Sequence, residues 1–333
     1  MKTLSRMTRL EISLVIFMCA LFVGAQLYIS FHSLISPDTF WTVHTLYHQY
    51  SVSLPYRDFM PYKTVLGYYI LSIPLLFVHD PFYVIAAVKS TIALCNGIFS
   101  LLAAVVLTRL FPKKAVFVAL FLLLTATMFL RSAEDVRTDL FAYWFSFFAT
   151  VCLLNKRYQW AGLILGLAFC FSQKAVWFLV ACNVSWLVVW AIYDRSLGAW
   201  RQVGMFNLLF ASMVSSYVGV WAIFSDIHTV FYSVFQEARL IYQIDLYPKQ
   251  IFAELPKVLP PSVVYALAWL VSVLSFVVVS PNKEEEKRRL FIFIHTTTIF
   301  ILLGIYGQFF GYAPTIIFLP LLLLYSAFFF LAN

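Results

Sequence analysis

Long apolar segments separated by short polar stretches recur along the whole chain. A helix needs roughly twenty apolar residues to span a bilayer. On that criterion the pattern predicts spans at 10–34, 83–110, 115–131, 139–154, 159–173, 175–193, 203–224, 260–280, 290–308 and 312–331. The predicted fold class is therefore all-α, a polytopic membrane helix bundle with about ten transmembrane helices.

One apolar segment, 65–78, is too short for a span and contains Pro74. We interpret it as a re-entrant or interfacial piece. Basic residues support this interpretation, because cytoplasmic loops carry an excess of lysine and arginine. If 65–78 does not span, the basic clusters from Lys113 to Arg289 share the side of the N-terminus, which is then cytoplasmic. The other face receives three polar segments, 35–82, 131–138 and 225–259.

Composition indicates that lipid is the solvent for much of the surface. Hydrophobic residues make up 62% of the chain and charged residues 11%, and a soluble domain of this length cannot bury so much apolar surface. The net charge of +8 reflects basic loops on one face, so it describes membrane topology and not nucleic-acid binding. The five cysteines lie in apolar spans without paired or metal-like spacing, and they predict neither disulfides nor a zinc site.

The predicted external face carries ten of the fifteen acidic residues, and its first loop is rich in polar groups. Asp38 follows the first span and opens a predicted amphipathic helix, where a cap or a first-turn acid would also explain it. Arg57, Asp58 and Lys63 follow later in the same loop. Arg57 and Asp58 would equally well pair with each other at the interface.

The second polar segment, 131–138, ends where a span begins. Ser132 and Asp135 have the spacing of a capping box, and Glu134 and Asp135 both suit a helix start because of the helix dipole. Arg137 and Asp139 lie deeper, where ionisable groups usually face a cavity or a partner.

Three further motifs have two interpretations each. Lys174, in FSQKAVWF between two spans, would either reach the headgroups or hold an anionic phosphate. His44 and His48 share a helix face, and we favour interfacial packing over metal binding because the motif has no acidic partner. The run KEEEKRR at 283–289 predicts a solvated cytoplasmic loop.

Taken in this order, these pieces resemble the GT-C superfamily of polyprenyl-phosphate-sugar-dependent glycosyltransferases. They are most similar to the bacterial members related to protein O-mannosyltransferases and lipid A aminoarabinose transferases. The matching pieces, all within about the first 200 residues, are Asp38, PYRDFMPYK, EDVRTDLFAYWF and Lys174. The chain departs from the family in Thr39, where a second acid is common, and in the soluble C-terminal domain, which we do not expect here.

The resemblance implies a GT-C-like fold with juxtamembrane helices in the first external loop. It implies one transmembrane domain over 1–333, with a catalytic part over 1–200 and variable helices over 201–333. The implied enzyme is a hexosyl or pentosyl transferase that inverts the anomeric carbon on the non-cytoplasmic face, in the membrane of the cell envelope. Its donor is a polyprenyl-phosphate sugar, and its acceptor is a glycan, a lipid or a protein.

By the same resemblance Asp38 is the general base, and Lys63, Arg137 and Lys174 stabilise the leaving phosphate. Asp139 orients Arg137 or helps to position a substrate. The implied substrate-binding residues are Lys63, Lys174, Arg57, Asp58, Glu134 and Asp135. We expect no cofactor and no structural metal, although some members of the superfamily use a divalent ion. We expect membrane lipid but no nucleic acid as a partner, and a bacterial inner membrane as the location, with a periplasmic active site.

Two other classes of function remain open. A transporter or flippase of lipid-linked or small solutes would place ionisable groups near the bilayer midplane and usually contain repeats, whereas here the acids gather at one surface without a convincing repeat. A non-catalytic membrane assembly subunit would keep Asp38 and Lys63 far apart. Another enzyme acting on lipid-linked glycans, such as a polymerase or a ligase, would differ mainly in its acceptor.

Overall fold

The computed structural model describes residues 7–51, 53–61, 63–193, 195–237, 282–305, 319–320 and 322–323. Every extended regular element in these ranges is a helix and none is a β-strand, which confirms the all-α prediction. In chain order their helices are α1 (Arg9–His32), α2 (Pro37–Tyr50), α3 (Leu66–Ser72), α4 (Pro81–Leu107), α5 (Lys113–Thr125), α6 (Thr127–Leu130), α7 (Asp139–Leu154), α8 (Tyr158–Phe171), α9 (Ala175–Tyr193), α10 (Leu197–Phe224), α11 (Ile227–Phe231) and α12 (Lys283–Ile305).

Four of the described helices, α1, α4, α9 and α10, are long and apolar enough to cross a membrane. The chain is therefore an integral membrane protein. Helices α7 and α8 are apolar but shorter, with 16 and 14 residues. The predicted spans 260–280 and most of 312–331 lie outside the described residues, so a total of about ten spans stays a prediction.

Polar residues at the helix starts explain several of the observed boundaries. Thr8 and Glu11 form a reciprocal capping box at the start of α1. The Ser36 hydroxyl accepts the Thr39 N–H at 3.2 Å at the start of α2, so the amphipathic helix predicted in the first loop is present. The short apolar segment after it forms α3, which continues into a 3₁₀ turn at Ile73–Leu76.

Two local predictions are wrong. The run 283–289 is not a loop but the first two turns of α12, because the Asn282 side chain accepts the Glu284 N–H and three glutamates suit the positive end of the helix dipole. Ser132 does not cap a helix. It lies in a 3₁₀ turn, Arg131–Ala133, and its hydroxyl donates to the Phe129 carbonyl at 2.7 Å.

Ser132 belongs instead to a buried polar network that joins α1, α4 and α7. Gln26 of α1 donates to Ser132 Oγ at 2.9 Å, and Asn96 of α4 donates to the same oxygen at 3.1 Å. Trp144 of α7 donates its indole N–H to Asn96 Oδ1 at 3.0 Å. Because polar groups buried in an apolar bundle must be satisfied internally, this network aligns the three helices.

The described bundle has two chemically different ends. At the acidic end, which contains the start of α7 and the last turn of α10, lie the polar residues of the loops 35–82 and 131–138. At the basic end, where α7 and α9 finish and α10 and α12 begin, the cations include Lys156, Arg195, Arg201, Lys287 and Arg288. The 16 residues of α7 separate the two ends by about 24 Å.

Helix α8 packs along both α7 and α10, and glycine makes the α8–α10 contact close. A Cβ atom at Gly162 would collide with the backbone carbonyl oxygen of Phe206, whereas one at Gly219 of α10 would meet nothing within 4 Å. We therefore expect Gly162→Ala to destabilise the protein by about 1–3 kcal/mol, because the α10 backbone must move. Thermal unfolding in detergent measures this.

Gly219→Ala is the matched control. The same substitution in an open helical position should leave stability unchanged or raise it by about 0.5–1 kcal/mol, because alanine favours the helix over glycine. Equal melting temperatures for Gly162→Ala and the wild type would contradict the close α8–α10 contact.

Candidate functional site

A buried carboxylate facing two lysines occupies the acidic end. Asp139 is the first residue of α7 and only 1% exposed. The Lys174 ammonium donates to Asp139 Oδ2 at 2.8 Å, and Lys63 Nζ lies 3.5 Å from the same oxygen. We call these three residues the triad. Two ammonium groups thus converge on one carboxylate oxygen.

Lys174 reaches Asp139 from the turn between α8 and α9. Helix α8 ends at Phe171, and Ser172 takes an extended conformation that redirects the chain before α9 begins. The neighbouring Gln173 donates its side-chain amide to the Val234 carbonyl at 3.2 Å. The turn is thus fixed on both sides, and the Lys174 side chain points into the bundle with only 6% of its surface exposed.

Lys63 is placed by the loop between α2 and α3, which is fastened to α10. Tyr56 in this loop has a left-handed backbone (φ 66°) and is buried. Its hydroxyl lies 2.7 Å from the Tyr217 hydroxyl, which also accepts the Val65 N–H at 2.8 Å. The Ser225 hydroxyl, just past α10, donates to the Tyr56 carbonyl at 2.6 Å. These bonds fix the loop on both sides of Lys63.

A second group of charges is formed by the segment just before Asp139 and by α2. Arg137 forms an ion pair with Asp38 of α2, and its Nε lies 3.6 Å from Asp135 Oδ2. The Asp38 side chain remains 51% exposed, so solvent and a substrate can reach the carboxylate. Asp38, Asp135 and Arg137 are thereby brought together, two residues along the chain from the triad.

Hydrogen bonds to the backbone hold α2 against this segment. The Thr42 hydroxyl donates to the Val136 carbonyl at 2.9 Å, and the Val136 N–H donates to the Thr39 hydroxyl at 3.2 Å. Thr39, at the position where the GT-C resemblance would favour a second acid, is therefore a structural residue in this chain. Its hydrogen bond fixes the position of α2, and with it of Asp38, relative to Arg137.

The remaining predicted site residues form local pairs. Arg57 and Asp58 pair at 2.9 Å on the surface, as one of the two interpretations predicts. The hydrogen bond from Arg57, with a second from the Leu54 N–H, lowers the pKa of Asp58 to about 2. Glu134 accepts from Arg131 at 2.9 Å. These residues lie at the acidic end, but Arg57 pairs with Asp58 and Glu134 with Arg131 instead of with members of the triad.

The two histidines of α2 pack against each other and against an aromatic ring. The Nε2 atoms of His44 and His48 are 3.1 Å apart, and the His48 ring stacks on Phe59 at 5.5 Å. Across the described ranges, no group of three or more His, Cys, Asp or Glu residues could hold a metal ion.

Sequence reasoning missed one buried cation. Lys89 of α4 is 2% exposed, and its ammonium donates to the Ser30 carbonyl of α1 at 2.8 Å. The sequence contained a signal for Lys89, because a lysine inside a predicted apolar span, here 83–110, usually has a functional role or a buried partner. Gln26 and Asn96 carry the same signal more weakly, since their amides are uncharged.

No known protein family, curated protein or solved structure matches this chain. A function must therefore be argued from the chemistry of the site. A pair of largely buried lysines can bind an anion, and a reachable carboxylate held by the segment that leads into the same helix start can accept a proton from a second reactant.

The triad predicts a large stability effect at Lys174. Lys174→Met would remove the closer of the two lysines that pair with the buried Asp139 carboxylate, and we expect a loss of on the order of 3 kcal/mol. Asp139→Asn combined with Lys174→Met should recover part of the loss, because the neutral amide no longer needs a counter-charge. Melting temperatures of the three proteins in detergent measure both effects.

Arg57→Met is the control for Lys174→Met, because Arg57 pairs with Asp58 in solvent, where ion pairs contribute little. Its melting temperature should match the wild type. Equal effects at Arg57 and Lys174 would contradict a buried, structurally required triad.

Proposed function

We propose that this protein is a membrane glycosyltransferase of the GT-C type. It moves a hexose or pentose from a polyprenyl-phosphate donor to an acceptor at the acidic end of the bundle. The observation that supports this proposal is the convergence of Lys63 and Lys174 on the buried Asp139, beside the segment that holds Asp38. Such a group favours the phosphate of a lipid-linked sugar.

The reaction exchanges one bond at the anomeric carbon for another. The acceptor oxygen or nitrogen attacks that carbon from the face opposite the phosphate, with inversion. The bond from the anomeric carbon to the phosphate oxygen breaks, and its electrons stay on that oxygen. The leaving phosphate thereby goes from one negative charge to two, so cations placed beside it stabilise the transition state more than the bound donor.

Lys63 and Lys174 are the proposed cations for this developing charge. Asp139 holds both ammonium groups in place and is not consumed in the reaction. Arg137 pairs with Asp38 and Asp135 and not, as the resemblance implies, with Asp139, so in this proposal it orients the base on the attacking side. A preorganised arrangement needs no rearrangement during the reaction, which makes electrostatic stabilisation effective.

Asp38 is the proposed general base. Its exposed carboxylate accepts the proton that the acceptor loses, and a positioned base of this kind contributes about 10²–10⁴-fold to the rate. Arg57, Asp58 and Glu134 would contact the substrate at the rim. The positive-inside tendency supports a non-cytoplasmic location for the acidic end, and we propose about ten spans, a bacterial inner membrane and no catalytic metal.

The donor site is tested by lipid binding. Lys63→Gln should weaken the binding of a long-chain polyprenyl monophosphate by about tenfold, the value of one charge-assisted hydrogen bond, without unfolding the protein, because Lys174 still pairs with Asp139. Native mass spectrometry in mild detergent measures the bound fraction, and the corresponding polyprenol serves as the uncharged ligand.

Arg131→Gln is the matched control for Lys63→Gln, since Arg131 is an exposed cation of the same end. It should bind the lipid phosphate like the wild type. If the polyprenol binds as well as its phosphate, or if both variants lose binding equally, the donor assignment fails.

The base is tested by turnover. The protein is incubated with a lipid extract and an envelope fraction of its host, and mass spectrometry follows the conversion of polyprenyl-phosphate sugars to polyprenyl phosphate. Asp38→Asn should lower this rate by about 10²–10⁴-fold while lipid binding persists. Asp226→Asn is the control, because Asp226 is an exposed helix cap at the same end and asparagine caps equally well. Full turnover by Asp38→Asn would remove Asp38 from the role of base.

A flippase for lipid-linked sugars is the second candidate, and the buried Lys89 favours it. Ionisable groups inside spans often mark transport pathways, and Lys89 lies in α4 between the polar network and the acidic end. In vesicles, a flippase would move the lipid phosphate between leaflets without converting it. Translocation that Lys89→Met abolishes, in the absence of any conversion, would decide for this candidate.

A further inference from the structure

A cavity at the basic end lies far from the triad. It has a volume of about 260 Å³ and opens where the end of α7 meets α9, α10 and the start of α12. Its inner wall is aromatic and includes Trp186, Phe206 and Phe291. The proposed glycosyl transfer uses none of these residues, so any ligand of this cavity is independent of that proposal.

The cavity carries an excess of positive charge. Lys156, Lys287 and Arg288 line it together with a single carboxylate, Glu284, which leaves a net charge of +2 from three cations and one anion. Glu284 pairs with Lys156 at 2.8 Å and with Lys287 at 3.1 Å. Among the described residues no carboxylate lies within ion-pair distance of Arg288. The half-buried Arg288 thus lines the cavity without a carboxylate partner in the part of the chain that the structure describes.

Tryptophans next to the cavity mark its depth in the membrane. Trp186 and Trp190 of α9 and Trp200 of α10 form one cluster, with ring centroids 4.9 Å apart for Trp186 and Trp200 and 5.1 Å apart for Trp190 and Trp200. Trp186 and Trp190 also line the cavity. Tryptophan is enriched at the level of lipid headgroups, where its ring meets both apolar and polar surroundings. The cavity thus lies at headgroup height.

We propose that this cavity binds the phosphate headgroup of an anionic phospholipid from the leaflet at the basic end. Arg288 would donate to the phosphate in the two-pronged geometry that guanidinium groups form with phosphate oxygens. The Lys156–Glu284–Lys287 cluster adds one positive charge at the mouth. The aromatic wall suits the glycerol and the first methylene groups of a lipid better than a fully hydrated inorganic phosphate.

The tightly paired amides below the cavity close its deeper side. Asn183 of α9 and Asn207 of α10 exchange two hydrogen bonds, at 3.0 and 2.8 Å. A polar headgroup that enters therefore meets satisfied amides at the bottom and cations at the mouth. This polarity orients a lipid with its phosphate toward Arg288.

The test compares lipids that differ only in headgroup charge. Wild-type protein in mild detergent is titrated with phosphatidylglycerol or with phosphatidylcholine, and bound lipid is counted by native mass spectrometry. Arg288→Gln should weaken phosphatidylglycerol binding by about tenfold. It leaves the Lys156–Glu284–Lys287 cluster intact, so the protein should fold, and unfolding curves confirm this. Arg201→Gln, an exposed cation of the same end that does not line the cavity, should bind like the wild type.

Three results would overturn the proposal. Equal binding of the two lipids would exclude recognition of the anionic headgroup. Equal losses in Arg288→Gln and Arg201→Gln would reduce the effect to the general charge of this end. Stabilisation by inorganic phosphate or glycerol phosphate as strong as that by phosphatidylglycerol would assign the cavity to a soluble phosphate compound. If Arg288→Gln does not fold, Lys287→Gln repeats the comparison, and unchanged binding there would count against the site.

Discussion

The ion pairs of Asp139 are the interaction on which the acidic end depends, because they join three parts of the chain. Lys63 comes from the loop after α2, Asp139 from the start of α7, and Lys174 from the turn before α9. A charge buried in an apolar bundle is costly unless partners surround it, so the three segments are stable only in each other's presence. The position of Asp38 follows from the same arrangement, since Arg137 lies two residues before Asp139.

Much of the fold follows from the apolar pattern. The positions of α1, α4, α7, α8, α9 and α10 agree with predicted spans to within a few residues, except that α10 begins six residues early. The pattern fails where local chemistry acts against it. Helix α5 ends at Thr125, before the predicted end of its span, because Ala126 is extended. Helix α12 begins earlier than its apolar part, because Asn282 and three glutamates form a good helix start.

The site was less predictable than the fold, because its partners are distant in sequence. Lys174 and Asp139 are separated by 35 residues, and a single sequence contains no signal for such a pairing. The sequence does indicate where a charged residue lies relative to the predicted spans. Asp139, Arg137 and Lys174 were singled out because they lie at the edges of apolar spans. Short-range pairs such as Arg57 with Asp58 were accessible, since neighbouring opposite charges need no fold to meet.

The attachment to α10 of the loop that carries Lys63 constrains how the sequence of this protein can evolve. Tyr217 and the Ser225 that follows α10 form hydrogen bonds with Tyr56 and Val65, so α10 supports the loop between α2 and α3 although the two are about 160 residues apart. A substitution in either segment alters the fit of the other. The loop and the end of α10 must therefore evolve together. A chimera joined near residue 200 from two diverged relatives would combine the loop of one with an α10 that does not fit it.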